Sequence, residues 1–307
     1  MTPSRLLLAL PLLVQLACID GPSTIVERQV DKTFAAAPGS LVQVDLSGGS
    51  VNVATSMGRE VHVVVRQEVT SGDGDAGADR LLAAYELKAS ASGGTIQVLG
   101  RRVAGRPFWT NWKNRVRINA MVTVPADVRL DLNTSGGRVR IDGERDAEVR
   151  ANTSGGSVDV AGGVGPLTLT TSGGRITVTR ALGIVRADTS GGSIRVDYVG
   201  PSARYVDLNT AGGNIRVGVD DRAALTVSAS TAGGSVNLEG LAFEGASQRR
   251  SSISGTINGG RDGNLRASTS GGNITLTGAV DPGGPGRRAR NDEAMPARVS
   301  DLVTRLR

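Results

Sequence analysis

The sequence is poor in aromatic side chains, with two Trp, three Tyr and three Phe in 307 residues. Aromatic residues usually contribute much of the buried area in the core of a compact enzyme. A chain with so few of them must build a thin core from Val, Ile, Leu, Ala and Thr, and its 43 glycines favour many tight turns. This composition therefore favours an elongated rod over a compact enzyme.

Histidine and lysine are also scarce. His62 is the only histidine, so one chain cannot form a metal site with several histidine ligands, and we expect His62 to be a surface residue of a strand. Lysine occurs three times, so arginine supplies most of the positive charge. The net charge of +6 loses one unit when Arg5 is removed with a leader. Because this charge is spread along the chain, it does not indicate nucleic-acid binding.

Two glycine motifs that bind ligands are absent. Calcium-binding β-rolls carry Asp after Gly-Gly-x-Gly, whereas Ile or Val follows the glycine pairs of this chain. The sequence also contains no Gly-x-x-x-x-Gly-Lys-Ser/Thr phosphate loop. We therefore expect no cofactor and no metal.

One six-residue motif is present in many copies: Thr-Ser-Gly-Gly, any residue, then Ile or Val. It starts at Thr134, Thr153, Thr171, Thr189 and Thr269, and Ala replaces Ser in the copies that start at Thr210 and Thr231. A degenerate copy of the motif ends at Ile257 and keeps the spacing. The step between equivalent Ile or Val positions is 17 to 21 residues. Such a period is typical of a solenoid, in which each unit stacks on its neighbours.

Alternating apolar and polar residues flank the glycines on both sides, as in residues 149–153 and 158–160. Each unit therefore predicts two short strands joined at a Gly-Gly corner, and successive units should pair in parallel about 4.8 Å apart. We expect at least one glycine of Gly173-Gly174 to have positive φ. The predicted structural turn residues are Gly136, Gly137, Gly155, Gly156, Gly173, Gly174, Gly191 and Gly192.

Two rows of side chains follow from this stacking. The threonines that begin the motifs should lie above one another, so we expect their hydroxyls to pass hydrogen bonds from unit to unit and to satisfy amides at the corner. The outward row after the corner is mixed and polar, which indicates a solvated face more than a ligand-binding one. It comprises Arg140, Asp159, Thr177, Arg195, Arg216, Asn237, Asn258 and Thr275.

The N-terminus resembles a secretion signal, with Arg5 before an apolar run at residues 6–16. Eleven residues are too few to span a bilayer, and no other segment is long and apolar enough to do so. Cys18 follows Ala17, as in bacterial lipoproteins whose cysteine is diacylated, although Gln15 departs from the usual aliphatic residue. Secretion with an unmodified Cys18 is the alternative.

The chain divides into five predicted segments. They are a signal peptide at 1–17, the lipidated Cys18 and a linker at 18–30, irregular coils and a cap at 31–127, regular repeats at 128–280, and a flexible basic tail with a candidate short helix at 281–307. Residues 46–53 and 91–98 contain isolated relatives of the motif, which we interpret as opening coils stretched by insertions. Between them, residues 79–85 predict a short helix capped by Asp79 or Asp75.

One segment combines aromatic and basic residues. Both tryptophans occur there, in a candidate binding patch formed by Arg106, Phe108, Trp109 and Trp112. The alternative is that these aromatics cover an open end of the solenoid core. We favour the cap, because an exposed end needs a cover.

The opening Ser-Gly-Gly unit, the segment at residues 122–128 and the repeat series together resemble a bacterial domain family of unknown function named "putative adhesin", over about residues 25 to 280. The resemblance implies a right-handed parallel β-helix at the bacterial envelope, and it carries over no catalytic or binding residue. The expected function is a noncatalytic adhesin-like or scaffold protein, exported across the inner membrane and held by a lipid anchor. Its expected partners are the membrane and an envelope glycan or protein, not nucleic acid.

Two other functions remain open. One is a β-helix enzyme that acts on polysaccharide, for which Asp142, Glu144, Asp146 and Asp159 would have to converge in one groove. We interpret these carboxylates as surface charge. The other is an accessory protein that senses envelope stress.

Overall fold

The structure, a computed structural model, describes residues 23–103 and 114–279. Regular structure in these two ranges is almost entirely β, and the one helix among them is α1 at Gly74–Ala83. No helix of the described ranges is both long and apolar enough to cross a membrane. The predicted all-β class is confirmed.

The N-terminal strands are β1 Thr24–Ala35, β2 Leu41–Leu46, β3 Val51–Ser56, β4 Glu60–Ser71, β5 Tyr85–Ser92, β6 Thr95–Arg102 and β7 Arg115–Pro125. The central strands are β8 Arg129–Thr134, β9 Val139–Arg145, β10 Val149–Thr153, β11 Val158–Gly163, β12 Leu167–Thr171, β13 Ile176–Ala181, β14 Ile184–Thr189, β15 Ile194–Val199, β16 Tyr205–Thr210 and β17 Ile215–Asp220. The C-terminal strands are β18 Leu225–Thr231, β19 Val236–Glu239, β20 Glu244–Arg249, β21 Ser252–Ile257, β22 Gly263–Thr269 and β23 Ile274–Ala279.

The strands form two sheets that face each other across the core. Sheet A has the order β1-β4-β7-β3-β9-β11-β13-β15-β17-β23-β19, and sheet B has the order β20-β21-β18-β22-β16-β14-β12-β10-β8-β2-β6-β5. Side chains alternate along each strand: in β10, Val149 and Ala151 are fully buried while Arg150 and Asn152 are exposed. The period-two pattern of the sequence thus places Val, Leu, Ile and Ala between the sheets.

Each repeat contributes one strand to each sheet, and we call this strand pair a coil. Equivalent strands of adjacent coils pair in parallel and in register, so that Thr153 lies between Thr134 and Thr171. We call the Gly-Gly side of the stack the corner edge, and the side where the chain returns to sheet B the closing edge. Nine such strand pairs stack in the described ranges, and eight spacings of about 4.8 Å make a rod of roughly 40 Å. The predicted parallel solenoid is confirmed.

The coils do not stack in chain order at the two ends. Near the C-terminus, the coil β22–β23 lies between β16–β17 and β18–β19. Near the N-terminus, the coil β2–β3 lies between β6–β7 and β8–β9. The first coil in the sequence and the last coil in the sequence therefore each lie one position in from an end of the stack.

Two relatives of the motif form antiparallel hairpins instead of coils, which corrects the sequence prediction. The degenerate copy that ends at Ile257 lies in β21, which pairs antiparallel with β18 and β20. The relative at residues 91–98 joins β5 to β6, and its Gly93 and Gly94 have φ of 57° and 78°. Successive glycines with positive φ match the twist of a tight hairpin, so the chain reverses here. The relative at residues 46–53 does form a coil, β2–β3.

The start of the described chain differs from the prediction in two details. β1 begins at Thr24, inside the segment assigned to a linker. The helix begins at Gly74, and its N-cap residue is Asp73 rather than Asp75 or Asp79. Asp73 makes no side-chain capping hydrogen bond within the helix, and its carboxylate accepts a hydrogen bond from the side chain of Asn114 at 3.0 Å.

Apolar side chains cover the core at both ends. At the N-terminal end, Val30 and Phe34 of β1 and Tyr85 and Leu87 of β5 pack against it. At the C-terminal end, Leu238, Leu241 and Phe243 do so. Trp109 and Trp112, which we predicted as a cap, lie outside the described residues. That prediction stays untested.

Candidate binding surface

The functional residues predicted from sequence lie outside the described ranges. This applies to the candidate lipidation site Cys18 and to the candidate patch of Arg106, Phe108, Trp109 and Trp112. The surface that the structure does describe consists of the two edges and the two outer faces of the solenoid.

A ladder of threonine hydroxyls runs along the corner edge. The Thr171 Oγ1 donates to the carbonyl oxygen of Gly156 in the preceding coil at 2.9 Å, and it accepts from the N–H of Gly174 in its own coil at 3.2 Å. Each of these threonines is 2% to 7% exposed, so the hydroxyls satisfy main-chain groups that water reaches poorly. The same pair of bonds occurs at Thr153, Thr189, Thr210, Thr269 and Thr231. The predicted ladder is confirmed.

The expected positive φ at Gly173 or Gly174 is wrong. Neither residue is among the glycines with positive φ. Glycine is required at the second position because the coils approach closely: a Cβ on Gly174 would lie 1.7 Å from the carbonyl oxygen of Gly156. A Cβ on Gly173 would meet nothing closer than 3.8 Å. The same contrast separates Gly155 from Gly156 and Gly191 from Gly192, and a Cβ on Gly137 would also overlap the preceding coil while one on Gly136 would be free.

On the closing edge, buried charged side chains hold two of the turns. Arg145 at the end of β9 is fully buried, and its guanidinium donates to the carbonyl oxygens of Pro125 (2.7 Å) and Val128. Burial lowers its pKa to about 10. The arginine thereby holds the turn before β8 against β9.

A second buried charge lies on the same edge at Asp220, the last residue of β17. Its carboxylate accepts hydrogen bonds from the Arg222 guanidinium at 2.8 and 2.9 Å and from the Tyr198 hydroxyl. The Arg222 hydrogen bond, followed by that of Tyr198, holds the pKa of Asp220 below its usual range despite burial. The cluster closes the turn after β17.

Of the four carboxylates that an enzyme would need in one groove, Asp142 and Asp159 line one shallow depression of sheet A, and Asp142, Glu144 and Asp159 each belong to a separate ion pair. Asp142 pairs with Arg140 at 2.9 Å. Glu144 pairs with Arg180 two coils away, and the chain between them is Gly162, which has no side chain to intervene.

The remaining candidate ligands are also paired or apart. Asp159 pairs with Arg138 at 3.5 Å. His62 contacts Asp31 at 2.8 Å. In residues 23–103 and 114–279, no three His, Cys, Asp or Glu side chains lie close enough together to hold a metal ion.

The outer face of sheet B mixes charges of both signs. In register order across adjacent strands, Arg186 is followed by Asp207 and then by Arg266. The guanidinium of Arg186 also lies 5.1 Å from the centre of the Tyr205 ring. Opposite charges on neighbouring strands stabilise a sheet, so this face is electrostatically balanced.

On the outer face of sheet A, acidic side chains balance the charge of the arginines only in the first coils. Further along, a shallow groove of about 400 Å³ crosses the coils from β13 to β19. Its exposed or half-exposed lining consists of Arg175, Ser193, Arg195, Asn214, Arg216, Asn237, Asn273 and Thr275. The predicted outward row is therefore correct except for Asn258, which lies in the turn after β21 with φ of 48°. We call this the arginine groove.

A larger depression of about 570 Å³ lies on the closing edge. The aliphatic side chains of Val164, Leu182 and Ile184 form part of its wall. Charged side chains occur along one part of it, at Arg204, Arg261 and Asp262. The arginine groove presents more directional hydrogen-bonding groups, so it is the better candidate for specific binding.

Comparison with known families and structures gives one strong match. The model of the Toastrack DUF4097 family matches residues 42–277, well over half of the chain. No curated protein matches the chain.

Several crystal structures of bacterial proteins are similar at low identity. A "putative adhesin" from Bacteroides fragilis is 14% identical with a TM-score of 0.41, over 81% of this chain and 97% of that chain. A "putative adhesin" from Parabacteroides merdae is 10% identical with a TM-score of 0.38, over 81% and 96%. A "putative lipid binding protein" from Parabacteroides distasonis is 11% identical with a TM-score of 0.35, over 81% and 96%.

Proposed function

The chain belongs to the Toastrack DUF4097 family, and we propose that it is a noncatalytic adhesin-like or scaffold protein of the bacterial cell envelope. The observation that carries the proposal is the pair of broad outer faces, on which polar side chains repeat at each coil. In-register pairing and the threonine ladder hold these side chains at a spacing of about 4.8 Å. Such a surface suits binding through many weak contacts along an extended partner.

The N-terminal sequence supports export and anchoring. Arg5, the apolar run at residues 6–16 and Cys18 have the order of a lipoprotein signal. Diacylation of Cys18 would hold the rod at a membrane, because two acyl chains give stable attachment where one does not. We also propose a right-handed coil sense, since connections between parallel strands are almost always right-handed.

Fractionation of cells that carry the Cys18→Ser variant tests the anchor. We expect the wild-type protein in the membrane fraction and the variant in the soluble fraction. A Ser23→Ala variant near the same site is the control and should behave as wild type. Equal membrane retention of the Cys18→Ser variant would refute the lipid anchor.

Retention on purified envelope material tests the binding function. We expect the intact protein to be retained on envelope polysaccharide or protein without shortening the polysaccharide. Release of shortened polysaccharide chains would instead identify an enzyme. Failure to be retained on any envelope fraction would contradict the adhesive role.

A further inference from the structure

We propose that the arginine groove on sheet A binds an acidic polysaccharide, with the guanidinium groups of Arg175, Arg195 and Arg216 contacting its carboxylates. This inference rests on the proposed function and adds the ligand class and the residues. The argument comes from the distribution of charge over the two faces and from the hydrogen-bonding groups that line the groove.

The first step is an unfavourable charge arrangement. Arg195 of β15 and Arg216 of β17 occupy the same register position on neighbouring strands, so their side chains leave the sheet side by side. Like charges in directly opposed positions destabilise a sheet. Asp197 pairs with Arg195, but within the described ranges Arg216 has no carboxylate partner. A local arrangement that lowers stability is the kind that functional sites retain.

The second step is a contrast within the same face. In the first coils of sheet A, Arg138 and Arg140 pair with Asp159 and Asp142. Arg175 lies on the same face one coil beyond Asp159 and, within residues 23–103 and 114–279, pairs with no acidic side chain. Around the groove, Arg175 and Arg216 therefore carry positive charge that no carboxylate of the described residues compensates. An oxyanion bound there would supply the missing partner.

The third step concerns the asparagines between the arginines. The Oδ1 of Asn214 accepts from the main-chain N–H of Asn273 at 2.8 Å, and the Oδ1 of Asn273 accepts from the N–H of Ser235 at 2.9 Å. Because an N–H can only meet the oxygen of each amide, the Nδ2 donors of both asparagines are left for other contacts. The groove therefore combines cationic groups with fixed amide donors.

The shape and lining favour a polysaccharide over a lipid or a nucleic acid. The apolar residues of the lining, Ile194 and Ile215, are each 1% exposed, so the groove offers no surface to cover an acyl chain. Within residues 23–103 and 114–279, no aromatic side chain lines the groove, so these residues offer a base nothing to stack on. A chain of hydroxyl and carboxylate groups matches amide, hydroxyl and guanidinium donors that repeat about every 4.8 Å, close to the length of one sugar unit.

Binding to alginate, a polymer of uronic acids, tests the proposal. The test variant is Arg175→Gln combined with Arg216→Gln, and the matched control is Arg150→Gln combined with Arg266→Gln, which removes the same charge from sheet B. We expect the test variant to bind alginate at least about 10-fold more weakly at low salt, since hydrogen bonds to charged groups are lost. The control should stay within about 3-fold, because its arginines do not line the groove.

Specificity and folding are checked in parallel. Neutral dextran and vesicles of phosphatidylglycerol should bind the wild-type protein weakly. The control variant should melt at the wild-type temperature, and the test variant at that temperature or above, because Arg216→Gln removes a like-charge contact with Arg195. This result excludes unfolding as the cause of lost binding.

Five results would overturn the inference: no alginate binding by the wild type, normal alginate binding by the test variant, an equal loss in the sheet B control, binding to phosphatidylglycerol vesicles as strong as to alginate, or binding to dextran as strong as to alginate. Retention of the test variant on envelope material distinguishes the two proposals. If the test variant binds alginate normally but the wild type is retained on the envelope, the adhesive role stands and the groove is wrong. If the wild type is retained on neither, both are wrong.

Discussion

The two edges of the solenoid turn the chain in different ways. On the corner edge, every motif threonine is followed five residues later by the Ile or Val that begins the next strand, and the same hydrogen bonds recur in each coil. On the closing edge, the step from one strand to the next ranges from three residues, between Ala181 and Ile184, to six, between Val199 and Tyr205. The corner edge therefore sets the register of the stack, and the closing edge absorbs the variation in repeat length.

The physical difference lies in what holds each edge together. Identical coils can share a ladder only if every coil has the same backbone at the corner, which requires Thr and a close Gly at the same positions. At the closing edge, the residue after the strand donates its N–H to the last strand residue of the preceding coil, as in Val164 to Arg145, Leu182 to Gly163 and Gly200 to Ala181. Beyond that shared bond the turns differ in length, and side chains such as Arg145 and the Asp220 cluster hold individual turns.

The largest expected effect is at the second glycine of the corner. Gly174→Ala should lower the free energy of unfolding by about 3 kcal/mol or more, because its Cβ would overlap the carbonyl oxygen of Gly156 and the coils would have to separate. Gly173→Ala is the matched control and should change stability by less than about 1 kcal/mol. Denaturant unfolding measures both. Equal losses would mean that the two glycines are not distinguished by coil contact.

The next largest effect is on the closing edge. Arg145→Met should destabilise by about 2 to 3 kcal/mol, because the carbonyl oxygens of Pro125 and Val128 lose their donor inside the protein. Arg150→Met, which exchanges an exposed arginine, should stay within about 0.5 kcal/mol. If Arg145→Met were as mild as its control, the closing edge would not depend on this side chain.

Removal of one hydroxyl from the ladder should have a smaller effect than either. Thr171→Val keeps the shape but removes the donor to Gly156 and the acceptor for Gly174, so we expect a loss of about 1 to 2 kcal/mol. Thr171→Ser keeps the hydroxyl and should recover most of this stability. A valine variant with the wild-type midpoint in urea would show that the ladder does not stabilise the corner.

The smallest effect concerns pH. The folded-state pKa of Asp220 lies below its value in an unfolded chain, so its contribution to stability is present above that unfolded value and is lost as the pH falls. Asp220→Asn should therefore destabilise by about 1 kcal/mol at pH 7. The gap to wild type should narrow below pH about 4. Asp221→Asn, a neighbour exposed to solvent, is the control. A gap that stays constant down to pH 2 would contradict the assigned ionisation.

Much of the fold could be predicted because its main determinants are local. The motif places Thr, the close Gly and the first Val of each strand within six residues, so the strands, corners and ladder follow from the sequence alone. The sequence did not predict why glycine is required at the corner. The requirement comes from the close contact between Gly174 and Gly156 of neighbouring coils, and not from a positive φ of either residue.

Coil order could not be predicted, because every coil presents nearly the same surface to its neighbours. The coil β22–β23 pairs in register with β16–β17 on one side and with β18–β19 on the other. The chain order of the two last coils is therefore exchanged in space, and the hairpin β20–β21 lies between these two coils in the sequence. The motif threonine gives no signal for the hairpins. Ala91 replaces it in one hairpin, but Leu46 also replaces it in the relative that forms a coil, and the copy that ends at Ile257 keeps a hydroxyl there at Ser252.

Only part of the arginine groove could be predicted from the sequence. Arg195 and Arg216 appeared as successive members of one outward row, but the row was interpreted as a solvated face. Asp197 pairs with Arg195, whereas Arg216 has no carboxylate partner among the described residues; the contrast with the first coils depends on ion pairs between coils, such as Arg138 with Asp159, which no local pattern reveals. The assignments of Cys18 and of the tryptophan segment stay predictions.

The exchanged coil order at the C-terminal end has a mechanical consequence. β23 is held by β17 on one side and by β19 on the other, and β22 is held in the same way by β16 and β18. A tensile load applied to the chain beyond Ala279 therefore cannot peel off an outermost strand one bond at a time. It must pull a strand out from between two others and shear two ladders together, a geometry that resists force better than unzipping does.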